Sequence, residues 1–153
     1  MANTFTQIYI HLVFAVKGRE NLIRKNMREE IYKYITGIVK EKNQKMIAIN
    51  GMPDHIHILL GLKPDIALSN FVRDIKANSS GFINQKKWLP GKFHWQDGFG
   101  AFSYSHSQIS TVANYIHHQE KHHAKTTFKE EYLKILRRFH IEFDPQYLYE
   151  WVE

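Results

Sequence analysis

The pattern of apolar and polar positions near the middle of the chain predicts a strand that carries two histidines. Residues 52–60 read MPDHIHILL, and the side chains that follow each histidine are apolar. Because successive side chains of a strand point to opposite faces, His55 and His57 share one face, and Ile56 and Ile58 share the other. Two strand rises separate the histidine Cα atoms by about 7 Å, so both imidazoles can bind one divalent ion. The alternative interpretation is a pair of half-buried histidines on an amphipathic strand.

The flanking segments predict two helices and three more strands. A run of β-branched and aromatic residues indicates the first strand, and apolar residues at helical spacing follow it. The turn sequence at residues 50–54 returns the histidine strand antiparallel to the short strand before it. The predicted elements are a strand at 5–16, a helix at about 21–43, a strand at 46–50, the histidine strand, a helix with Ser69 as N-cap that ends before Pro90, and a strand at 92–96.

This order is the βαββαβ pattern of a ferredoxin-like fold, which belongs to the α+β class and has an antiparallel sheet. In such a fold the histidine strand is central in the sheet. We expect the two helices to cover the face toward which Ile56 and Ile58 point. His55 and His57 then look out of the opposite face, where later parts of the chain must supply any further ligands.

A third helix is predicted from Ser107, a candidate N-cap, to about His123. Tyr115 and Gln119 are four residues apart on it, so their side chains project from one face about 6 Å apart along the axis. A hydroxyl group and an amide oxygen can therefore point at one object. The alternative is that Tyr115 borders the apolar stripe and Gln119 is solvated. Adjacent histidines on a helix diverge by about 100°, so the four at 117, 118, 122 and 123 cannot all bind one ion, and we interpret them as surface or phosphate-side residues.

The C-terminal part predicts one more helix and a tail. Thr127 and Glu130 form a capping-box pattern that opens a helix through Phe139. The tail after it is acidic and aromatic, and packing on its own subunit is favoured over docking on a partner or covering a basic groove. We expect one domain over residues 1–153, with a core at about 5–125 and the helix and tail at 127–153.

Composition narrows the class of protein. A chain of 153 residues with 43% hydrophobic residues can bury one core. The absence of cysteine excludes disulfides, thiolate ligands and a thiol nucleophile, so any bound metal must use nitrogen and oxygen ligands. The N-terminal residues lack the pattern of a signal peptide, and no apolar run is long enough to span a bilayer. We therefore expect a cytoplasmic protein without a membrane partner.

Basic residues concentrate away from the C-terminus. All 21 Lys and Arg residues and 11 of the 15 acidic residues lie within residues 1–140, which gives this part a net charge of +10. Residues 76–96 contain no acid and interleave cations with aromatic rings, a combination that suits single-stranded nucleic acid. The alternative is a solvated basic face beside core aromatics. The candidate DNA contacts are Lys76, Lys86, Lys87, Lys92, Trp95, His122 and His123.

Three segments resemble, in order, the motifs of the IS200/IS605 family of single-tyrosine HUH transposases. They are MPDHIHIL at 52–59, WQDGFGAFS at 95–103 and YIHHQEKHH at 115–123. The similarity extends from the first strand to the end of the third motif. It implies that His55 and His57 are metal ligands. It also implies that Tyr115 is the nucleophile and that Gln119 is the third ligand.

The resemblance implies an enzyme that cleaves and rejoins single-stranded DNA at insertion-sequence ends. Mg²⁺ or Mn²⁺ would polarise the scissile phosphate as a Lewis acid, and Tyr115 would form a 5′-phosphotyrosine while a 3′-hydroxyl is released. A free tyrosine has a pKa of about 10, so the metal or nearby cations must stabilise the developing charge. Because a strand end and not water accepts the phosphoryl group, such an enzyme is a strand transferase as well as an endonuclease.

The family resemblance also implies partners. Its members are homodimers with composite active sites, in which the tyrosine helix of one subunit meets the histidine strand of the other. Gly98 and Gly100 lie between the predicted fourth strand and the tyrosine helix. They are therefore candidate hinges that would let this helix swing between its own site and the partner's site. Alternatively, they only form a turn. The implied substrate is single-stranded DNA with subterminal hairpins, in which part of the cleavage site is recognised by base pairing within the DNA.

Other functions compete with this interpretation. A REP-associated tyrosine transposase would share the cleavage chemistry but act on chromosomal hairpins, and the compact length and the pattern at residues 119–123 favour the insertion-sequence type. A nucleic-acid-binding or metal-binding relative without catalysis is disfavoured because the two histidines, the tyrosine and the glutamine occur together. A replication initiator of the HUH class usually has a longer chain with further domains.

Overall fold

The computed structural model describes residues 3–144. Its strands are β1 Ile8–Ala15, β2 Lys45–Met52, β3 His55–Leu62 and β4 Gly100–Ser103. Its helices are α1 Lys25–Glu41, α2 Leu68–Lys86, α3 Ile109–His117, α4 Gln119–His123 and α5 Phe128–Arg138. Short 3-10 turns at Lys17–Arg19 and His106–Gln108 precede α1 and α3.

The four strands form one antiparallel sheet in the order β2-β3-β1-β4. This arrangement confirms the ferredoxin-like fold, with β3 central between β1 and β2. In the register, His57 lies opposite Val13 of β1 and Asn50 of β2. The histidine strand is therefore held on both sides by backbone hydrogen bonds, which makes it a rigid support for its side chains.

One face of the sheet is covered by α1 and α2, as predicted. Ile56 and Ile58 of β3 are fully buried there against Ile31 and Ile35 of α1 and Ile75 of α2. Each fully buried isoleucine stabilises the fold by roughly 1.5–3 kcal/mol relative to an exposed one. This core fixes the direction of the alternate side chains of β3, because they must point to the other face.

The other face, which we call the histidine face, carries the three C-terminal helices in two parts. Ile116 of α3 packs on Leu59 in one apolar cluster, which covers β2 and β3. Phe128 and Leu136 of α5 pack with Val13 in another cluster, which covers β1 and β4. The histidines of β3 lie between these two clusters.

The prediction of a strand at residues 92–96 was wrong. β4 lies at Gly100–Ser103, where it pairs with residues 10–13 of β1, and Trp95 makes an isolated bridge to Val16. The apolar residues Phe93 and Trp95 alternate with polar ones because both rings point into the core beside α2. The side chain of Asn84 bonds the backbone N–H and C=O of Phe93 at 2.6 and 3.0 Å. Beyond Phe93, the backbone pairing of this segment within the described residues is limited to two bonds around the bridge, from Lys17 N–H to the His94 carbonyl and from Gln96 N–H to the Ala15 carbonyl.

Several predicted helix boundaries are also corrected. The helix predicted to run to His123 is interrupted at His118, whose φ and ψ of −104° and 28° separate α3 from α4. Ser105 and not Ser107 forms the capping box, together with Gln108. Ser69 lies inside α2, which begins at Leu68. The predicted cap of α5 is confirmed, since the Glu130 N–H donates to the Thr127 hydroxyl oxygen at 3.2 Å.

Within the described range, none of the helices has both the length and the apolar character that crossing a membrane requires. Residues 145–153, which hold most of the predicted acidic aromatic tail, lie outside the described residues.

Candidate active site

The site is built on the two histidines of β3. His55 and His57 are 1% and 0% exposed, and their ring centroids lie 5.1 Å apart in an edge-to-face arrangement. The period of two along the strand puts both rings on the histidine face, as the sequence predicts. α3, α4 and α5 then enclose them.

The outer nitrogen of each ring is held by another side chain. His55 Nδ1 donates to Asp54 Oδ1 at 2.7 Å, and Asp54 in turn pairs with the Arg19 guanidinium at 3.1 Å. His57 Nδ1 lies 2.8 Å from the Nε2 atom of His11 on β1. Metal-binding histidines typically have such partners on the nitrogen that does not face the ion, because these partners fix the tautomer and the ring orientation. Both Nε2 atoms are thereby directed into the site.

The inner nitrogens converge on a carboxylate from α5. Glu131 Oε1 lies 3.1 Å from His57 Nε2, 3.4 Å from His55 Nε2 and 3.1 Å from His123 Nε2. One ligand atom from each of these four residues lies within 4.8 Å of all the others. The set contains only nitrogen and oxygen donors, so it fits a divalent cation in a chain without cysteine.

Gln119 joins this group from the first position of α4. It is 0% exposed, and its Oε1 atom lies 3.2 Å from His55 Nε2. Its amide nitrogen donates to Glu131 Oε2 at 3.2 Å. The break at His118 therefore does not separate Gln119 from His55, the histidine with which the family resemblance groups it.

Tyr115 completes the site from the last turns of α3. Its hydroxyl donates to Glu131 Oε2, and its ring lies edge-to-face with His57 at a centroid distance of 5.8 Å. The side chains of His55, His57, Tyr115 and Gln119, which the sequence singles out, thus meet within one chain.

Burial and the neighbouring carboxylate determine the electrostatics. Burial, and then the charge of Glu131, raise the pKa of Tyr115 well above its usual value. Burial alone would raise the pKa of Glu131, but hydrogen bonds to His123, His55 and His57 outweigh it and hold that pKa well below its usual range. Glu131 is therefore an ionised carboxylate in the interior, and Tyr115 is a neutral phenol that donates to it.

Comparison with known proteins identifies the family. Residues 4–119 match the family described as "Transposase IS200 like". The chain belongs to this family. It is therefore a transposase of the IS200 type, and DNA cleavage and strand transfer are the general activities of this class.

Two curated relatives support this assignment. This transposase is 25% identical over 118 residues to the ISDra2 transposase TnpA of Deinococcus radiodurans. The aligned region covers 74% of the present chain and 84% of the relative. It is 25% identical over 131 residues to the transposase for insertion sequence element IS200 of Salmonella typhimurium. That aligned region covers 78% of the present chain and 81% of the relative.

A solved structure shares the fold. It is a REP-associated tyrosine transposase bound to a REP hairpin, with a TM-score of 0.61 and 15% sequence identity. The match covers 81% of the present chain and 73% of the other. At this identity the likeness concerns the fold.

Sequence reasoning missed three residues of the candidate site. Glu131 lies beyond the family match, and its signal was a carboxylate on the apolar stripe of α5, spaced with Phe128 and Ile135. His123, predicted to contact DNA, belongs to the cluster with His55, His57 and Glu131, and its pairing with Glu131 was not predictable from local spacing. His11 stands on β1, and only the strand register brings it beside His57.

His122 lies at the edge of the same cluster. Its Nε2 atom is 3.4 Å from Glu131 Oε2, and its ring is edge-to-face with Tyr115 at 5.2 Å. It therefore borders the proposed nucleophile, a position compatible with the phosphate-side alternative of the prediction.

The other predicted DNA contacts do not line the histidine site. Trp95 is 7% exposed and its indole N–H donates to Ser79 Oγ at 2.9 Å, so its ring is not available to stack on a base. The Lys76 ammonium donates to the carbonyls of Gln96 and Gly98 at 2.7 and 2.6 Å. Trp95 therefore packs in the core, and Lys76 stabilises the loop after α2.

The remaining lysines of that set are more open. Lys86 pairs with Glu30 at 3.4 Å and lies over the ring of Trp88. Lys87, the left-handed C-cap residue that follows α2, and Lys92 are exposed. A nucleic acid on this side of the protein would therefore meet Lys87 and Lys92 first.

The two hinge candidates occupy other positions than predicted. Gly98, with φ of +84°, lies before β4, and Gly100 is the first residue of β4. The predicted location between the last strand and α3 was therefore wrong, because the last strand lies later in the chain. The segment that joins β4 to α3 is 104–108, so a hinge role for the glycines stays a prediction.

Proposed function

We propose that this chain cleaves and rejoins single-stranded DNA at the ends of an insertion sequence, with Tyr115 as the nucleophile. In this proposal His55, His57 and Gln119 hold Mg²⁺ or Mn²⁺. The observation that carries it is the meeting of the Tyr115 hydroxyl, the Gln119 amide and the inward histidine nitrogens around one buried carboxylate.

The chemistry is a transesterification. The Tyr115 oxygen forms a bond to phosphorus and the bond from phosphorus to the 3′ oxygen breaks, which leaves a 5′-phosphotyrosine and a 3′-hydroxyl. The phenol proton is lost and the 3′ oxygen gains one, so no water is consumed and the linkage is retained for a later strand end. When bound, the divalent ion supplies Lewis-acid polarisation of the phosphate. His11 and Asp54 orient the two ligand rings, and the surrounding helices exclude water from them.

The substrate in this proposal is single-stranded DNA with hairpins near the element ends. The net charge of +10 over residues 1–140 supports binding to phosphates, and the solved relative bound to a REP hairpin supports a hairpin as the structural signal. That relative also favours a second candidate function, cleavage at chromosomal REP hairpins by the same chemistry. The two candidates differ in which hairpin is cleaved.

The protein acts as a homodimer with composite active sites in this proposal. Residues 104–108 are the connection that would let α3 and α4 reach a partner subunit. Within one chain the same helices already contact the histidines of that chain. The same set of residues could therefore form the site within one subunit or between two subunits.

A covalent adduct tests the proposed function. Labelled single-stranded DNA from the flanks of the gene, incubated with the protein and Mg²⁺, should give an adduct that survives denaturation. Tyr115→Phe should abolish the adduct, and Tyr34→Phe is the matched control, because Tyr34 lies on α1 and stacks on Phe82, on the opposite side of the sheet. An undiminished adduct in Tyr115→Phe would mean that another residue is the nucleophile, and no adduct with any hairpin substrate would favour a binding protein without catalysis.

A further inference from the structure

The helix α5 contributes the side chain that connects the parts of the site. Glu131 is 2% exposed and lies 12 residues beyond the last position of the family match. Its two oxygens have different partners. Oε1 faces His55, His57 and His123, and Oε2 accepts hydrogen bonds from the Tyr115 hydroxyl and the Gln119 amide.

The ion-pair partners of Glu131 argue against a purely structural role, because burying its charge costs folding free energy. Within residues 3–144, its ion-pair partners are all histidines, and no lysine or arginine pairs with it. A buried charge is strongly destabilising unless it is compensated, and the ion-pair partners of Glu131 are imidazole rings, which carry a positive charge only when they are protonated. A divalent cation at the same point compensates it well.

The ligand chemistry leads to the same conclusion. Mg²⁺ and Mn²⁺ prefer oxygen ligands, and two histidines with one glutamine offer a single neutral oxygen. Glu131 adds an anionic oxygen within 4.8 Å of the histidine nitrogens. His123, whose outer nitrogen Nδ1 is 2.7 Å from the Thr126 carbonyl oxygen, adds a third imidazole with a fixed ring.

We propose that Glu131 is a catalytic residue of this transposase, a metal ligand through one oxygen and the acceptor that orients the Tyr115 hydroxyl through the other. This places α5 in the active site, although the family match ends before it. The inference rests on the proposed function for the role of Tyr115, whereas the ligand role stands on the cluster itself.

Mn²⁺ binding measured by isothermal titration calorimetry tests the ligand role without any reaction. We expect Glu131→Gln to weaken Mn²⁺ affinity about tenfold to hundredfold, on the order of the losses seen when groups around a metal site are removed. Glu131→Asp keeps the charge and should recover part of the loss. Glu130→Gln is the matched control, since this neighbouring carboxylate caps α5 at the surface and should leave the affinity unchanged.

Adduct formation at saturating Mn²⁺ tests the orienting role. Circular dichroism and thermal melting would first establish that each variant is folded. A Glu131→Gln variant that forms the adduct at the wild-type rate once Mn²⁺ is saturating would overturn the orienting role, and a rate that stays low would support it.

The outcomes separate this inference from the proposed function. Equal Mn²⁺ affinity in wild-type and Glu131→Gln protein, or tighter binding in the variant, overturns the ligand role even when wild-type protein forms the Tyr115 adduct. Weakened Mn²⁺ binding in Glu131→Gln supports the ligand role even when wild-type protein forms no adduct, which would be a failure of the proposed function.

Discussion

The hydroxyl of Tyr115 on α3 donates a hydrogen bond to the carboxylate of Glu131 on α5. The other oxygen of that carboxylate lies 3.1 Å from the Nε2 atom of His57 on β3. One buried side chain thus connects the proposed nucleophile to the proposed metal ligands. Changes to any of these three side chains should therefore affect both metal binding and cleavage.

The carboxylate behind His55 should influence metal affinity. In Asp54→Asn, His55 Nδ1 keeps an oxygen acceptor but loses its charged partner, so the ring is oriented less firmly and is a weaker ligand. We expect Mn²⁺ affinity to fall about tenfold, measured by calorimetry. Asp74→Asn is the control, because Asp74 pairs with Lys42 at the surface. Equal affinities in the two variants would show that Asp54 does not support the ligand.

Mixing two inactive variants should reveal which subunit supplies the tyrosine. Tyr115→Phe and His57→Ala each lack one part of the site, and a composite dimer formed from both retains one complete site. We expect the mixture, after subunit exchange, to regain about a quarter of wild-type cleavage if random pairing occurs. A mixture as inactive as its components would mean that each tyrosine serves its own histidines, as the contacts within one chain allow.

Substitutions of the two glycines should separate a hinge from a packing requirement. A Cβ at position 100 would lie 2.7 Å from the Tyr132 hydroxyl and 3.0 Å from the Phe102 ring, so Gly100→Ala should lower the free energy of unfolding by about 1–3 kcal/mol through overpacking. A Cβ at position 98 meets nothing within 4 Å, but its φ of +84° makes Gly98→Ala costly by about 1 kcal/mol. Denaturant unfolding measures both losses.

Strand exchange by the same variants tests the hinge. Normal exchange by the folded double variant would exclude a hinge at either glycine and leave residues 104–108 as the flexible connection. Exchange that is lost while single-site cleavage persists would support the hinge.

Trp95 and the exposed lysines should have separate effects on stability and DNA binding. Trp95→Phe removes the hydrogen bond to Ser79 and leaves space in the core, so we expect about 1–3 kcal/mol lower stability and unchanged affinity for single-stranded DNA. Replacing Lys87 and Lys92 by Gln should instead weaken DNA binding and reduce its salt dependence, with little change in stability. Binding measured at several salt concentrations, together with thermal melting, checks both. Weaker DNA binding by folded Trp95→Phe would mean that the ring does reach the nucleic acid.

Local periodicity explains which features were predictable. The alternation along β3 was sufficient to put His55 and His57 on one face, and the spacing of four residues was sufficient to bring Tyr115 and Gln119 together. The same kind of pattern failed at residues 92–96, because Phe93 and Trp95 alternate in a segment that makes one isolated bridge, and the Asn84 side chain bonds the backbone of Phe93. An alternation of apolar and polar residues indicates where the side chains point. It does not show whether the backbone of that segment pairs with another strand.

The sequence by itself determined the order of the elements and the face of the central strand that carries the histidines. These follow from backbone geometry over a few residues. The family resemblance, and not the geometry, pointed to Tyr115 as the candidate nucleophile and to Gln119 as its partner. Only the tertiary structure decided that β4 pairs beside β1, that His11 stands behind His57, and that His123 and Glu131 enter the site. Those relationships join residues from separate elements, and the packing of α4 and α5 on the sheet brings them within hydrogen-bond distance.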